Sequence, residues 1–286
     1  MFIDTHGHVN FNAFREDSSE VLQRTLEGHV WVVMPGSQYS TSKRAVEMAE
    51  KYEQGVYAAV GLHPIHIGEQ RKVDVLEVQS EEKAEQPWET FETRSEEFNY
   101  EEYKKLAQSK KVVAIGEIGL DYYYFPKSKV KREEIKRKQK ETLRQQMDLA
   151  DEMHLPVIIH CRVAHEDLLE FLGERKQVRG VVHSYTGTAE QAQKFMDFGL
   201  YFGFNGLILK NVPALPDPKE IIASIPLDRI VLETDSPYLL PPGASKERNE
   251  PLFVKYIAAE IAKIKKVSLE KVAESTTNNA KKLFTV

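Results

Sequence analysis

Histidine, glutamate and aspartate stand in six short runs whose make-up suits metal ligation. They are Asp4-Thr5-His6-Gly7-His8, Gly61-Leu62-His63-Pro64 with His66 close behind, Gly116-Glu117-Ile118-Gly119-Leu120-Asp121, His160-Cys161-Arg162, His183-Ser184-Tyr185 and Glu233-Thr234-Asp235-Ser236-Pro237. Alternate side chains of an extended chain share a face, so His6 and His8 point the same way and can clamp one ion, with Gly7 leaving room for it. Imidazole and carboxylate together suit Zn, Mn or Mg. Cys161 is the one cysteine, which argues against a closed structural zinc site. The candidate ligands outnumber what one catalytic ion with an open position takes, and they suit two ions roughly 3.5–4 Å apart. A glutamate can bridge such a pair with its two oxygens. Glu117 is the natural bridge, because it falls opposite His6 and His8 around a ring of strands.

These runs follow short apolar stretches. Strands are expected at Phe2–His6, Val30–Met34, Val56–Gly61, Val112–Glu117, Pro156–His160, Gly180–His183, Tyr201–Asn205 and Arg229–Asp235. Most are near-continuous apolar runs, as parallel strands buried on both faces require. Helical periodicity fills the gaps at Ser19–Gly28, Ser42–Tyr52, Lys131–His154, Ala164–Glu174, Ala189–Phe198 and Pro251–Lys265, with a further helix before the fourth strand. A last helix starts at Ser268, an N-cap whose capping box is incomplete because Lys271 stands where Glu or Gln would close it. Eight strands alternating with helices predict an α/β fold, a single-domain (β/α)8 TIM barrel over residues 1–286. A doubly wound open sheet is the alternative. The barrel is preferred because the polar runs fall at the ends of six strands, where a parallel barrel builds its site. Residues 69–102 form an acidic insertion, read as a solvated surface excursion or as a rim over the site.

A formal net charge of −5 gives no electrostatic support for wrapping duplex nucleic acid. Bound metals supply positive charge locally, so a short nucleic-acid contact escapes that objection. The N-terminus shows no basic stretch followed by an apolar one, and no apolar run is long enough for a membrane helix. One cysteine fits a reducing, cytoplasmic setting.

Taken together, these runs, with Arg248-Asn249-Glu250-Pro251, resemble the TatD family of metal-dependent deoxyribonucleases, within the amidohydrolase-like barrel superfamily. The resemblance runs from Phe2 to about Phe284. It implies a two-metal barrel in which His6, His8, Glu117 and Asp235 hold one ion and Glu117, His160 and His183 the other. It places His63 nearby, against substrate or leaving group, and Arg162 within reach of a phosphate oxygen. Arg248 and Glu250 read as structural, in a turn before a helix. The expected reaction is cleavage of phosphodiester bonds in DNA, at single-stranded or 3′ ends, by metal-activated water. Asp235 would take the water proton, and Tyr122, Tyr123, Tyr124 and Phe125 would either stack on bases or pack the rim. Two departures from the family bear on substrate choice: Ser184-Tyr185-Thr186-Gly187 where Cys-Phe-Ser-Gly is common, and the long acidic segment. Two other readings stand beside this one. One is an amidohydrolase-type or aminoacyl-ester hydrolase on the same dinuclear site, against which Glu117 weighs because carbamylated-lysine enzymes put Lys there. The other is a non-enzymatic binding barrel.

Overall fold

The computed structural model describes residues 1–68, 72–74, 90–175, 177–210 and 212–286. Eight strands form in the expected order: β1 (Phe2–Asp4), β2 (Val30–Pro35), β3 (Val56–Val60), β4 (Val112–Asp121), β5 (Val157–Arg162), β6 (Gly180–Val182), β7 (Tyr201–Phe204) and β8 (Ile230–Leu232). Each pairs in parallel with the next, and β1 pairs with β8, so the sheet closes into a barrel. The open-sheet alternative is thereby overturned.

Every strand contributes to one buried apolar cluster: Ile3, Val33, Ala59, Ala114 with its neighbour Val113, Ile158, Val181, Tyr201 and Val231. Ala280, Leu283 and Phe284 close that layer from the final helix, Leu269–Phe284, whose N-cap Ser268 accepts from the Lys271 N–H. A larger apolar cluster lies between the barrel and its helices. Those helices are α1 (Ser18–Glu27), α2 (Tyr39–Ala49), α3 (Tyr100–Ala107), α4 (Lys129–Met153), α5 (His165–Gly173), α6 (Ala189–Asp197), α7 (Pro218–Ser224) and α8 (Val254–Lys265), with α9 the final one. Helix α7 was not anticipated. Its start is nonetheless written in Asp217-Pro218, an N-cap whose carboxylate accepts from the Lys219 N–H, followed by proline at the first helical position.

Most strands end within two residues of their expected limits, and two end further away. Strand β4 continues to Asp121, four residues past Glu117, through an irregularity in register: Ile115 faces Val157, yet Ile118 faces Ile159. Three residues of β4 thus span two of β5, which makes a bulge. Strand β8 stops at Leu232 because Thr234 turns to Asp4, its N–H bonding to Oδ1 at 2.9 Å and its hydroxyl to Oδ2 at 2.6 Å.

Much of the acidic segment, residues 69–71 and 75–89, lies outside the described residues. Lys72–Asp74 pairs antiparallel with Thr90–Glu92. Beyond it the chain is anchored. The Glu96 N–H donates to the His66 carbonyl, and the Glu96 carboxylate accepts from the Tyr103 hydroxyl at 2.7 Å and the Tyr39 N–H at 3.0 Å. Among the described residues no helix is long and apolar enough to cross a membrane.

Candidate metal centre

The pleat delivers most of the polar side chains to one place. Counting by twos from the interior apolar layer, Ala59 leads to Gly61 and His63, Ile158 to His160, Val181 to His183, and Val231 to Glu233 and Asp235. Glu117 is out of phase with Ala114, and the β4 bulge supplies the extra residue that turns it inward. His6 is likewise out of phase with Ile3. Strand β1 has ended by then, and Gly7 bridges to Ser236 instead.

All six expected ligands converge, buried, at the C-terminal end of the barrel. The Glu117 carboxylate lies among the imidazoles with its oxygens divided. Oε2 is 3.2 Å from His6 Nε2 and 3.8 Å from His8 Nε2; Oε1 is 2.9 Å from His160 Nδ1, 3.2 Å from His63 Nε2 and 3.8 Å from His183 Nε2. Asp235 Oδ1 is 3.4 Å from His8 Nε2 and 3.9 Å from His6 Nε2, while the two Nε2 atoms are 3.1 Å apart. Ligands at about 2.0–2.1 Å from a shared ion stand roughly 3.3 Å from one another in a tetrahedron, so this donor set has the spacing of a coordination shell. Three triads have ligand atoms within 4.8 Å of one another: His6–His8–Glu117, His6–His183–Asp235 and His63–Glu117–His160. His183 lies between the two expected groups, because its ring stacks on His6 with centroids 3.5 Å apart.

Polar contacts behind the ring decide which nitrogen each imidazole offers. His8 Nδ1 is 3.1 Å from the Pro35 carbonyl, which can only accept, so Nδ1 carries the proton and Nε2 presents a lone pair. His183 Nδ1 is 3.1 Å from Glu233 Oε1, which likewise frees Nε2. In His160 the roles are reversed: Nε2 faces Asp121 at 3.3 Å and Nδ1 faces the centre. His63 differs from all three. Its Nδ1 accepts from the Ile65 N–H at 3.0 Å, so the neutral ring carries its proton on Nε2 and donates toward Glu117.

The electrostatics follow from burial and this close packing. Burial pushes the Glu117 carboxyl up, but His63, His6 and the hydrogen bonds from His160 and His6 more than reverse it and hold it well below the ordinary range. Burial, then His183, holds His6 well below its usual value. Burial also lowers His63. For His160 burial is outweighed by its hydrogen bonds to Asp121 and Glu117, and its pKa rises to about 9. For His183 burial is outweighed by Glu233, and it stands well above the ordinary range. Imidazole ligands must be deprotonated, so cation uptake here releases protons.

Three carboxylates beyond the expected ligands support the ring. Asp121 faces His160. Glu233, fully buried, faces His183 and accepts from the Ser184 N–H at 2.6 Å. Asp4 accepts from the His6 N–H at 3.1 Å as well as from Thr234, and so ties the strand that carries His6 to the one that carries Asp235. Burial, against the bond from Thr234, raises its pKa to about 7. Glu233 had a readable signal, since it shares parity with Asp235. Two glycines make this packing possible. A Cβ on Gly203 would stand 2.1 Å from Glu233 Oε2, and one on Gly7 would stand 2.7 Å from Asp4 Oδ2. Gly7 therefore makes room for Asp4 rather than for an ion, which corrects the expectation.

The Arg162 guanidinium lies over the Tyr123 ring, 3.7 Å from its centroid. Tyr122 is buried, donates to Asp167 at 2.8 Å and stacks on Phe125, so these two pack the rim. Glu250 accepts two bonds from Arg24, at 2.6 and 2.8 Å, and Arg248 reaches Asp17 at 2.7 Å. Both residues fasten the loop after β8 to the start of the chain, the structural part expected for them. A cavity of about 70 Å³ opens over Glu117, His63, His160 and Asp235, with Arg162 and Tyr238 at its edge.

Comparison with known proteins gives the chain its family. The family described as TatD related DNase matches residues 3–285. The metal-dependent hydrolase YabD of Bacillus subtilis is 39% identical over the whole of both chains. The 3′-5′ ssDNA/RNA exonuclease TatD of Pantoea ananatis is 30% identical over 95% of this chain and 94% of its own. Among solved structures, the TatD homolog YjjV of Escherichia coli superposes with a TM-score of 0.78 at 30% identity, covering 100% of this chain and 98% of that one. The chain belongs to the TatD family of metal-dependent hydrolases.

Proposed function

We propose that the chain is a two-metal phosphodiesterase that shortens single-stranded DNA from its 3′ end. The observation that carries this reading is the Glu117 carboxylate, whose two oxygens face different sets of imidazoles. His6, His8, Glu117 and Asp235 would hold one divalent ion, and Glu117, His160 and His183 the other. Mg, Mn and Zn all accept this mixture of ligands. When bound, such ions bring the acidity of water toward neutrality and offset negative charge on phosphate oxygens.

The chain's own groups do the rest. Asp235 takes the proton of the attacking water. His63 presents Nε2–H, held in that tautomer by Ile65, as a hydrogen-bond donor to the phosphate or the leaving oxygen. Arg162, laid flat on Tyr123, offers its planar donors to a phosphate oxygen. The narrow cavity at the barrel mouth admits a flexible strand end more readily than a duplex. The relative from Pantoea named for 3′-5′ exonuclease action on single strands supports the same reading. A reducing, cytoplasmic setting accords with the one buried thiol, Cys161.

The test is a panel of end-labelled single-stranded DNA, duplex DNA, RNA and a carboxylic ester, each with Mg, Mn or Zn. Single-stranded DNA should shorten from the 3′ end in at least one metal, and Asp235→Asn should abolish this. Ester hydrolysis with every nucleic acid left intact would overturn the proposal in favour of an acyl-hydrolase.

A further inference from the structure

A second cavity, of about 220 Å³, adjoins the metal centre. That is an order of magnitude more than one ordered water needs, so it can hold an organic group. Arg162 lines both cavities and forms the wall between them. On the far side stand Tyr123, Val163, Thr186, Thr188 and Leu215. The floor is rigid: the Tyr185 hydroxyl donates to the Thr188 carbonyl at 2.7 Å, and a Cβ on Gly187 would stand 2.5 Å from the Tyr185 oxygen.

Val163 is the unusual residue. It follows β5 directly, has φ of +56° and is 61% exposed. A β-branched residue gains nothing from that backbone region, and an exposed valine buries little to offset it. Strain of this kind concentrates where a side chain is held ready for a ligand. Ser184 and Asp235, at the ends of β6 and β8, share the left-handed conformation, with φ of +46° and +57°. Val163 thus shares its backbone conformation with residues just past two other barrel strands.

We propose that this groove is a nucleotide subsite for the strand as it leaves the metal centre. This rests on the nuclease reading above. The occupant follows from continuity and charge. A strand that runs from the metal cavity into this groove passes Arg162, whose guanidinium suits the intervening phosphate. The next sugar and base then meet Tyr123, an aromatic ring of the kind on which bases stack irrespective of sequence, with Val163 and Leu215 as apolar flanks.

The experiment measures KM and kcat for oligothymidylates of two to six nucleotides with the metal-loaded wild type, Tyr123→Ala and Val163→Gly, together with the melting temperature of each. Wild-type KM should fall, about fivefold or more, at the length where the added nucleotide reaches the groove, and both variants should lose that step. Val163→Gly removes the left-handed strain, so its melting temperature should hold or rise while its KM for longer substrates worsens. A merely structural Val163 would change melting alone. Unchanged KM in both variants, or no length dependence in the wild type, would overturn the subsite and leave the nuclease reading intact. Failure of the wild type to cleave any of the oligonucleotides would overturn both.

Discussion

Glu233 offers the sharpest test of how the centre is held. It touches no substrate; it faces His183 Nδ1 at 3.1 Å and accepts from the Ser184 N–H at 2.6 Å, in a pocket that Gly203 leaves open for it. Glu233→Gln keeps the shape and removes the charge. Two effects then compete. Losing the carboxylate makes His183 easier to deprotonate, which favours ion uptake. It also removes a negative charge behind a ligand, and that charge acts on a dication twice as strongly as on a proton. The second effect wins. The outer partner of a ligating histidine is worth about 10–100-fold in metal affinity, or roughly 1.4–2.7 kcal/mol. Calorimetric titration of Mn or Zn into metal-free protein should show that loss, with melting of the metal-free variant close to wild type. Gly203→Ala should reproduce it, because its methyl must displace the same carboxylate. Affinity within twofold of wild type for both variants would refute the role of Glu233 and weaken the case for His183 as a ligand.

Further outcomes follow from other contacts. Asp235→Asn should lower turnover by about 100-fold or more while leaving the fold intact, as read by steady-state rates and circular dichroism; a tenfold loss or less would remove it as the base. Glu250→Ala breaks two charge-assisted bonds to Arg24 and should cost about 2 kcal/mol in urea denaturation. Burial lowers His165 from 6.5 to about 4, so the folded protein resists a proton that the unfolded chain accepts. Stability from this group is complete above pH 6.5 and lost as pH falls toward 4, by about 3 kcal/mol, and His165→Phe should lack that part of the acid-side slope. Chelation of ions present at 100 times their Kd should withdraw about 2.7 kcal/mol and lower the melting temperature by several degrees.

The barrel was legible because its strands are apolar on both faces and alternate with helices. The histidines of β5 and β6 were legible for a related reason, since Ile158 to His160 and Val181 to His183 keep the pleat's period of two. Glu117 was identified by its motif and not by its phase, because a bulge that reverses parity leaves no mark in hydrophobicity. The supporting carboxylates were hidden by distance in sequence. Asp4 and Thr234 are 230 residues apart, and Glu233 and Ser184 are 49 apart. The His63 tautomer depends on a local turn, through Ile65, that residue type alone does not specify. Gly7 was misread because the atoms it makes room for belong partly to Asp4 and partly to the far end of the chain, at Ser236 and Pro251.

Metal stoichiometry by elemental analysis of wild type and Glu117→Ala, each equilibrated with excess Mn or Zn and then desalted, bears most directly on the dinuclear centre. Two ions per wild-type chain are expected, and fewer than one in the variant, since both ion sites share that carboxylate. A single ion in the wild type, or two retained without Glu117, would contradict the bridge.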